Sequence, residues 1–394
     1  MVAGILFREE RENGGFKFDR ETGKAEFFDE KSFPEEIMKS GKKGEHFDVV
    51  FKPAKMSKIA LTAPLAVWHE TTEACNLDCK PCGQVKSGEK ELEVGQIKDI
   101  YAGLSSAGVF EVRITGGEAC IRKDISDIVL AARDSGLYVS LTSNGVYNER
   151  LRKRVAELPI GLYIISLDGT ERVNDLVRGE GAYASTLSTL KELAGKGKNV
   201  RVNTILMRQN KDCIEELVKV LEDSGVSALT LIPLRPVGTA LGDFYANKLT
   251  PEEYMRAVAR VNEIREQHPN FSISTNYDIL SANAQGANTP SYWSKMCIAG
   301  IEAACISPAG NLRACILHKG EEYNVGNLTE STLTELWHND ALWGIFRDLN
   351  RRVLDQCKAC DDYTLKCPGS CLAMTEFSKS PEEVYCFKPL LAAK

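Results

Sequence analysis

Hydrophobic and polar positions fall into two regimes along this chain. Over residues 1–60, the stretches 4–10, 15–19 and 24–28 alternate or run apolar like short strands, and Glu21-Thr22-Gly23 supplies a hairpin turn. Ser32-Phe33-Pro34-Glu35 fits a capping box opening a short helix, and the basic stretch 52–58 reads as a solvated linker. From 64 to 269 the pattern changes. β-Rich apolar runs at 65–72, 110–115, 138–142, 162–167, 200–207 and 228–234 alternate with helical periodicity at 94–106, 125–135, 149–158, 182–194, 213–224 and 251–267. Asp212-Cys213-Ile214-Glu215 and Thr250-Pro251-Glu252-Glu253 are N-cap signatures for the last two helices. Six strand–helix units in a row predict an α/β protein with a parallel sheet and helices outside. Right-handed crossovers leave two arrangements open, a doubly wound sheet or an incomplete barrel, and both place a site in the loops after the strands' carboxyl ends.

Composition narrows the setting. At 394 residues with 43% apolar content, the chain is long enough for a barrel with an appendage. Lys plus Arg number 49 against 55 for Asp plus Glu, a net charge of −6 with no long basic block, which argues against binding nucleic-acid backbone or anionic membrane. No apolar run approaches the length of a membrane span, and the opening residues reach Arg8, Glu9 and Glu10 too early for a signal sequence, so a cytoplasmic protein is expected. Thirteen cysteines in a reducing compartment then point to metal or chemistry.

Three thiols, Cys75, Cys79 and Cys82, stand in a CxxxCxxC loop directly after the first strand. Structural zinc and ordinary iron–sulfur clusters take four protein ligands, so three suggest a cluster with one iron open. A zinc loop with a distant fourth ligand and unligated core cysteines are the alternatives. The next loops carry Thr115-Gly116-Gly117-Glu118, Thr142-Ser143-Asn144-Gly145 and Ser166-Leu167-Asp168-Gly169. Each alone reads equally as a turn or helix cap. Together they place small polar groups, a carboxylate and glycines on successive loops of one face.

This set of loops resembles the radical S-adenosylmethionine (SAM) enzymes, and Asn174 to Gly179 looks like the Arg-containing segment of that family. The resemblance implies a partial (β/α)6 TIM-like barrel. It implies that the open iron binds the amine and carboxylate of SAM, that Gly116, Gly117 and Glu118 hold the amine, and that Ser143, Asn144, Ser166, Asp168 and Arg178 line the ribose and carboxylate. Relatives carry an aromatic residue just before the third cysteine, where this chain has Pro81, which stiffens the loop.

Past residue 290 the cysteines fall at Cys297, Cys305 and Cys315, then at Cys357, Cys360, Cys367, Cys371 and Cys386. Eight thiols make two closed four-thiolate sites, as iron–sulfur clusters or as zinc knuckles. The pattern is similar to the SPASM extension with its two auxiliary 4Fe-4S clusters. That resemblance implies Cys297, Cys305, Cys315 and Cys371 for the nearer cluster and Cys357, Cys360, Cys367 and Cys386 for the distal one, with a hairpin over 304–316 turning at Pro308 to Asn311. Cys213 is expected to pack, and His69 and His318 to be structural. Cys120 is the candidate hydrogen donor to a substrate radical, with a small buried apolar role as its alternative.

The organisation expected is therefore residues 1–60 as a small hairpin unit, 61–290 as the barrel and 291–394 as a Cys-rich SPASM domain. The first unit resembles, in shortened form, the leader-peptide recognition element of some peptide-modifying enzymes. By resemblance, the chain uses three 4Fe-4S clusters to cleave SAM to a 5′-deoxyadenosyl radical and oxidatively crosslinks a ribosomally made precursor peptide, fed by a one-electron donor such as flavodoxin or ferredoxin. A tetrapyrrole or other small cofactor precursor is the first alternative substrate, and a non-catalytic iron–sulfur electron carrier the alternative from another class. Sulfatase maturation is disfavoured, because those relatives carry Asp after the cysteine equivalent to Cys315, where Ile316 stands here.

Overall fold

The computed structural model describes residues 5–10, 14–28, 48–49, 60–84, 86–275, 297–348, 359–360 and 371–373. The expected helix at 32–35 and the linker at 52–58 lie outside them. Four strands form an N-terminal sheet: β1 (Ile5–Glu10), β2 (Gly14–Asp19), β3 (Lys24–Phe28) and β4 (Asp48–Val49), in the order β3-β2-β1-β4. The β2–β3 turn closes through Gly23 N–H to the Asp19 carbonyl at 2.8 Å, with Gly23 at φ +71°.

Seven strands of the main sheet follow: β5 (Ala66–Glu70), β6 (Glu111–Thr115), β7 (Tyr138–Ser143), β8 (Leu162–Ser166), β9 (Val200–Leu206), β10 (Ala228–Pro233) and β11 (Ser272–Thr275). Each is parallel to its predecessor and hydrogen-bonded to it. Over β5 to β11 the strand order never reverses, so the crossover helices share one face and the partial barrel is favoured over the doubly wound alternative. β11 is one strand more than the sequence pattern predicts.

The helices are α1 (Val94–Ser106), α2 (Ile125–Asp134), α3 (Glu149–Glu157), α4 (Glu171–Arg178), α5 (Ala182–Gly195), α6 (Ile214–Asp223), α7 (Ala240–Asn247), α8 (Pro251–Gln267) and α9 (Leu333–Trp337). α8 starts as expected, with reciprocal Thr250 and Glu253 bonds and Pro251 at its first position. α6 does not start as expected: its N-cap is Cys213 without a side-chain bond, and Asp212 pairs with Lys211 instead.

The strands alternate sharply. Val67, Val112, Ile114, Val139, Leu141, Ile165, Val202 and Leu229 are almost completely buried in the core shared with the helices. The intervening positions, including Trp68, Arg113, Thr142, Ser166, Arg201, Asn203 and Thr230, are only partly buried and line the other, inner face. His69 fixes the parity, because its Nδ1 lies 2.7 Å from the Tyr101 hydroxyl on α1.

The N-terminal sheet closes the amino end of this barrel. Leu6, Phe16 and Phe18 pack with Leu61, Phe110 and Tyr138, and Phe18 stacks on Phe110 at 4.7 Å and 7°. Arg8, wholly buried, donates to Glu10 at 2.7 Å and to the carbonyls of Pro64 and Gly108 at 3.1 and 2.7 Å. These bonds meet the Nε and Nη1 donors and offset much of the cost of burying the charge, while Nη2 has no hydrogen-bond partner among the described residues.

At the other edge, β12 (Ala303–Ile306) and β13 (Asn311–Arg313) form the expected hairpin, extended by β14 (Gly326–Asn327). The sequence does not foretell that β12 pairs in parallel with β5, making the hairpin part of the barrel sheet. The segment behind it is anchored by Trp337 Nε1 donating to the Leu61 carbonyl at 2.7 Å, and by Arg347 packed over Trp337 and Trp343.

Candidate active site

The cysteine loop lies across the carboxyl ends of β5 and β6. Thr71, Gly117 and Glu118 tie it down through backbone bonds: Thr71 N–H to Thr115 O at 2.9 Å, Gly117 N–H to Thr72 O at 2.7 Å and Glu118 N–H to Ala74 O at 2.8 Å. A Cβ on Gly116 would stand 2.4 Å from Thr72 O, and one on Gly117 would stand 2.2 Å from Ala74 O. The two glycines thus let this loop meet the stretch leading to Cys75, and Gly116 O accepts Gln84 Nε2 at 2.9 Å. From the far side, the Thr239 hydroxyl lies 3.2, 3.2 and 3.1 Å from the carbonyls of Cys79, Lys80 and Cys82. Gly238, at φ +60°, makes room, since a Cβ there would stand 2.4 Å from Cys82 O.

The three sulfurs are electrostatic neighbours of one another. Asn144 Nδ2 stands 3.8 Å from Cys75 Sγ, Arg178 Nη1 4.0 Å from Cys79 Sγ and Gln84 N–H 3.5 Å from Cys82 Sγ. Burial is the main force raising the Cys79 thiol to about 11, opposed by Arg178, and burial also raises Cys75. A bound cationic centre would favour the thiolates that burial disfavours. Three sulfurs faced by N–H donors is the donor chemistry an iron–sulfur cluster requires, so these residues fit that group. Pro81 is buried beside them.

Glu118 is buried and fully engaged. Its carboxylate accepts from Asn144 N at 2.7 Å, Ser143 Oγ at 3.0 Å, Cys120 N at 3.0 Å and the Tyr147 hydroxyl at 3.4 Å. Burial still raises its pKa against those donors. It therefore braces the loop after β7, and Asn144 is the residue that faces the cysteine loop, its Nδ2 also reaching Asn76 Oδ1 at 2.8 Å. Asp168 is likewise enclosed: its carboxylate holds Arg178 Nε at 2.8 Å and accepts Ile205 N–H at 2.7 Å. Ser166 ends β8 half-buried, paired in register with Asn203.

Cys120 is wholly buried beneath Glu118, with Tyr147 and Ser143 as neighbours, and its pKa is driven well above the usual thiol value by burial. Protein encloses its sulfur in this structure, as a small buried apolar role expects. Cys213 is half-buried, its thiol donating to Asn210 O at 3.3 Å. His69 and His318 are buried, lowered to about 3 and about 4, mainly by desolvation.

Cys297, Cys315 and Cys371 lie together: burial raises the Cys315 thiol to about 12, and Cys371 and Cys297 add to the shift. Cys305, completely buried, neighbours Cys315 and stands 3.8 Å from Glu70 Oε2. Four sulfurs gathered from distant positions fit a closed cluster. Cys360 is half-buried, and Cys357, Cys367 and Cys386 lie outside the described residues. Among the described residues, no three His, Cys, Asp or Glu side chains form a site for a single metal ion.

Sequence reasoning misses the bridge between these two groups of thiols. Glu70, at the end of β5, pairs with Lys319 and accepts Gln84 Nε2 at 2.9 Å, while Lys319 Nζ donates to Gln84 Oε1 at 2.8 Å. The available signal is a carboxylate ending an apolar strand. Thr239 has a comparable signal, a Gly-Thr pair in the loop after β10.

Comparison with known proteins agrees with this geometry. The radical SAM superfamily matches residues 69–221, and the SPASM iron–sulfur cluster-binding domain matches residues 297–361. The chain is 30% identical over 335 residues to mycofactocin maturase MftC of Mycolicibacterium smegmatis, covering 82% of this chain and 81% of that one. It is 27% identical over 320 residues to the pre-heme d1 synthase of Dinoroseobacter shibae, covering 75% and 79%. Streptococcus suis SuiB bound to precursor peptide SuiA has the same fold, with a TM-score of 0.74 at 18% identity over 96% of each chain. Among the described residues no helix is long and apolar enough to cross a membrane.

Proposed function

The chain belongs to the radical SAM superfamily and carries its SPASM extension, and from this we propose that it oxidatively modifies a ribosomally made precursor peptide, forming a crosslink or thioether. The likeness to a named maturase across both barrel and extension carries this reading. When bound, the cluster and SAM supply one-electron reductive cleavage of SAM and a 5′-deoxyadenosyl radical that takes hydrogen from unactivated carbon. Cys75, Cys79 and Cys82 hold the SAM-binding cluster. Asn144 and Arg178 orient SAM beside it, and Glu118 and Asp168 position those two side chains. Gly116, Gly117, Ser143 and Ser166 shape the pocket around them.

Cys297, Cys305, Cys315 and Cys371 hold a second cluster, and Cys357, Cys360, Cys367 and Cys386 a third. Substrate filling the barrel excludes solvent from the reacting carbon, and a small flavodoxin or ferredoxin supplies the electron in the reducing cytoplasm. Anaerobic reconstitution followed by dithionite and SAM tests the enzyme reading: 5′-deoxyadenosine is expected, and none from iron-loaded protein would sink it. Incubation with a candidate precursor peptide then tests the substrate by a mass change on the peptide. The likeness to pre-heme d1 synthase supports a tetrapyrrole as the second reading, separated by the same assay with a porphyrin precursor.

A further inference from the structure

A barrel of this kind is normally filled by layers of branched apolar side chains, and a parallel sheet buried on both faces reads as near-continuous apolar runs. The inner face here departs from both. Trp68 and Arg113 are paired in register, Arg113 continues to Ser140, and Ser166 pairs with Asn203 farther round. The Arg113 guanidinium sits 4.8 Å from the centre of the Trp68 ring and keeps 32% of its side chain accessible although it lies mid-strand. The space in front of it is therefore wet and open. It lies two residues before the end of β6, about 7 Å below the rim that carries the cysteine loop.

The charges in this space do not cancel. Glu111 pairs with Arg113 at 2.8 Å and also accepts the Ser140 hydroxyl. Arg201, the second cation, is repelled by Arg113 and attracted by the same Glu111, with Tyr138 also near. It has no ion pair among the described residues. The buried Nε atoms of Arg201 and Arg113, and Asn203 Oδ1, have no hydrogen-bond partner among the described residues. Glu70, the other inward carboxylate, is taken by Lys319. Two guanidinium groups thus share one carboxylate, and buried N–H donors left unmet are costly unless a ligand meets them.

We propose that the substrate enters the barrel carboxylate first, with Arg201 and Arg113 holding the carboxylate and Trp68 packing against the group that bears it. The inference rests on the precursor-peptide reading and specifies what the peptide presents: its C-terminal carboxylate or an acidic side chain. The carbon abstracted then lies close to that group, because Arg113 stands only two residues below the rim.

Binding by the reconstituted full-length protein, measured anaerobically with SAM present throughout, tests this. Three probes serve: N-acetyl-Ala-Phe as the free acid, the same compound as its C-terminal amide, and N-acetyl-Asp-Phe amide. At least one carboxylate probe should bind about tenfold or more tightly than N-acetyl-Ala-Phe amide, as a charge-assisted hydrogen bond would give, and the tighter acid identifies the source. The preference should vanish in R201Q and persist in R201K. Equal binding of all three probes by the wild-type protein overturns the proposal, as does a preference that survives R201Q. Without any variant, the preferred probe should shield Arg201 from phenylglyoxal, located by peptide mass; an unshielded Arg201 also overturns it. Formation of 5′-deoxyadenosine in the same samples reports on the enzyme reading separately, so loss of one result does not imply loss of the other.

Discussion

Arg178 and Asp168 form a buried ion pair, with both Nε and Nη2 of the arginine at 2.8 Å from one carboxylate oxygen, and the remaining nitrogen of the same guanidinium stands 4.0 Å from Cys79 Sγ. The side chains are 9% and 0% exposed, so removing one partner leaves a charge without water. Asp168→Ala is expected to cost about 3 kcal/mol or more in stability, as broken buried pairs do. It should also raise the KM for SAM in 5′-deoxyadenosine formation. Denaturant unfolding and the SAM titration check the two parts, and a variant as stable as wild type would remove the pair from its supporting role.

Thr239 and Gly238 make a second, sharper prediction. Thr239→Val deletes a hydroxyl placed among three carbonyls of the cysteine loop and should cost about 1–2 kcal/mol. Gly238→Ala should be worse, because φ +60° and a 2.4 Å approach to Cys82 O leave no place for a methyl group. Iron per chain after reconstitution, about twelve if all three clusters form, should drop by about four in Gly238→Ala. Full loading of both variants would show that the loop holds its shape unaided.

The Glu70–Lys319 pair should behave as one unit. Lys319→Met leaves the Glu70 carboxylate, 1% exposed, without its cation, whereas Glu70→Gln with Lys319→Met removes both charges. A double-mutant cycle in denaturant is expected to show coupling of about 1–3 kcal/mol, because the groups touch and share Gln84. Additive single effects would contradict the bridge.

Acidity should act at the joint between the N-terminal sheet and the barrel. Burial, opposed by Arg8 and reinforced by Glu10, raises Glu302 from 4.5 to about 7. The folded state then binds more protons than the unfolded state between those values, so this residue's contribution to stability falls as pH rises from about 4.5 to 7. Glu302→Gln, which mimics the protonated form, should be more stable than wild type at pH 8 by on the order of 2 kcal/mol and close to it near pH 5. Taking the difference between the two proteins cancels the opposing acid sensitivity of His69 and His318. A difference that does not change with pH would rule out this titration.

Much of the barrel was legible because its signals are local. The helices at Val94–Ser106 and Pro251–Gln267 ran where periodicity placed them, each opened by a capping box. The polar loops after β6, β7 and β8 declared themselves by falling after strand ends. The short α4 and α7 were not legible, since neither N-cap makes a side-chain bond and each turns a leucine outward, Leu176 at 53% and Leu241 at 48% exposed. Asp212 misled because an N-cap residue type counts only if the backbone starts the helix there. Glu118 and Asp168 stood out in the sequence, but their bracing geometry did not: it depends on the backbone amides of Asn144 and Ile205, 26 and 37 positions farther along, which no spacing encodes. The same holds for Thr239, whose partners are carbonyls about 160 positions earlier.

The parallel pairing of β12 with β5 has a consequence for electron traffic. Cys305 lies opposite Trp68 in the ladder, and the cysteine loop begins just beyond Glu70 on that same strand. The interval between the two sulfur groups is therefore set by strand register, as a gauge block sets a gap, and no hinge intervenes. A slip of one residue would turn Cys305 to the helix side, so intermediate spacings are unavailable. With clusters bound at both sulfur groups, as proposed above, tunnelling between them would fall steeply with distance, and a sheet that permits only one separation would make that rate a property of the fold.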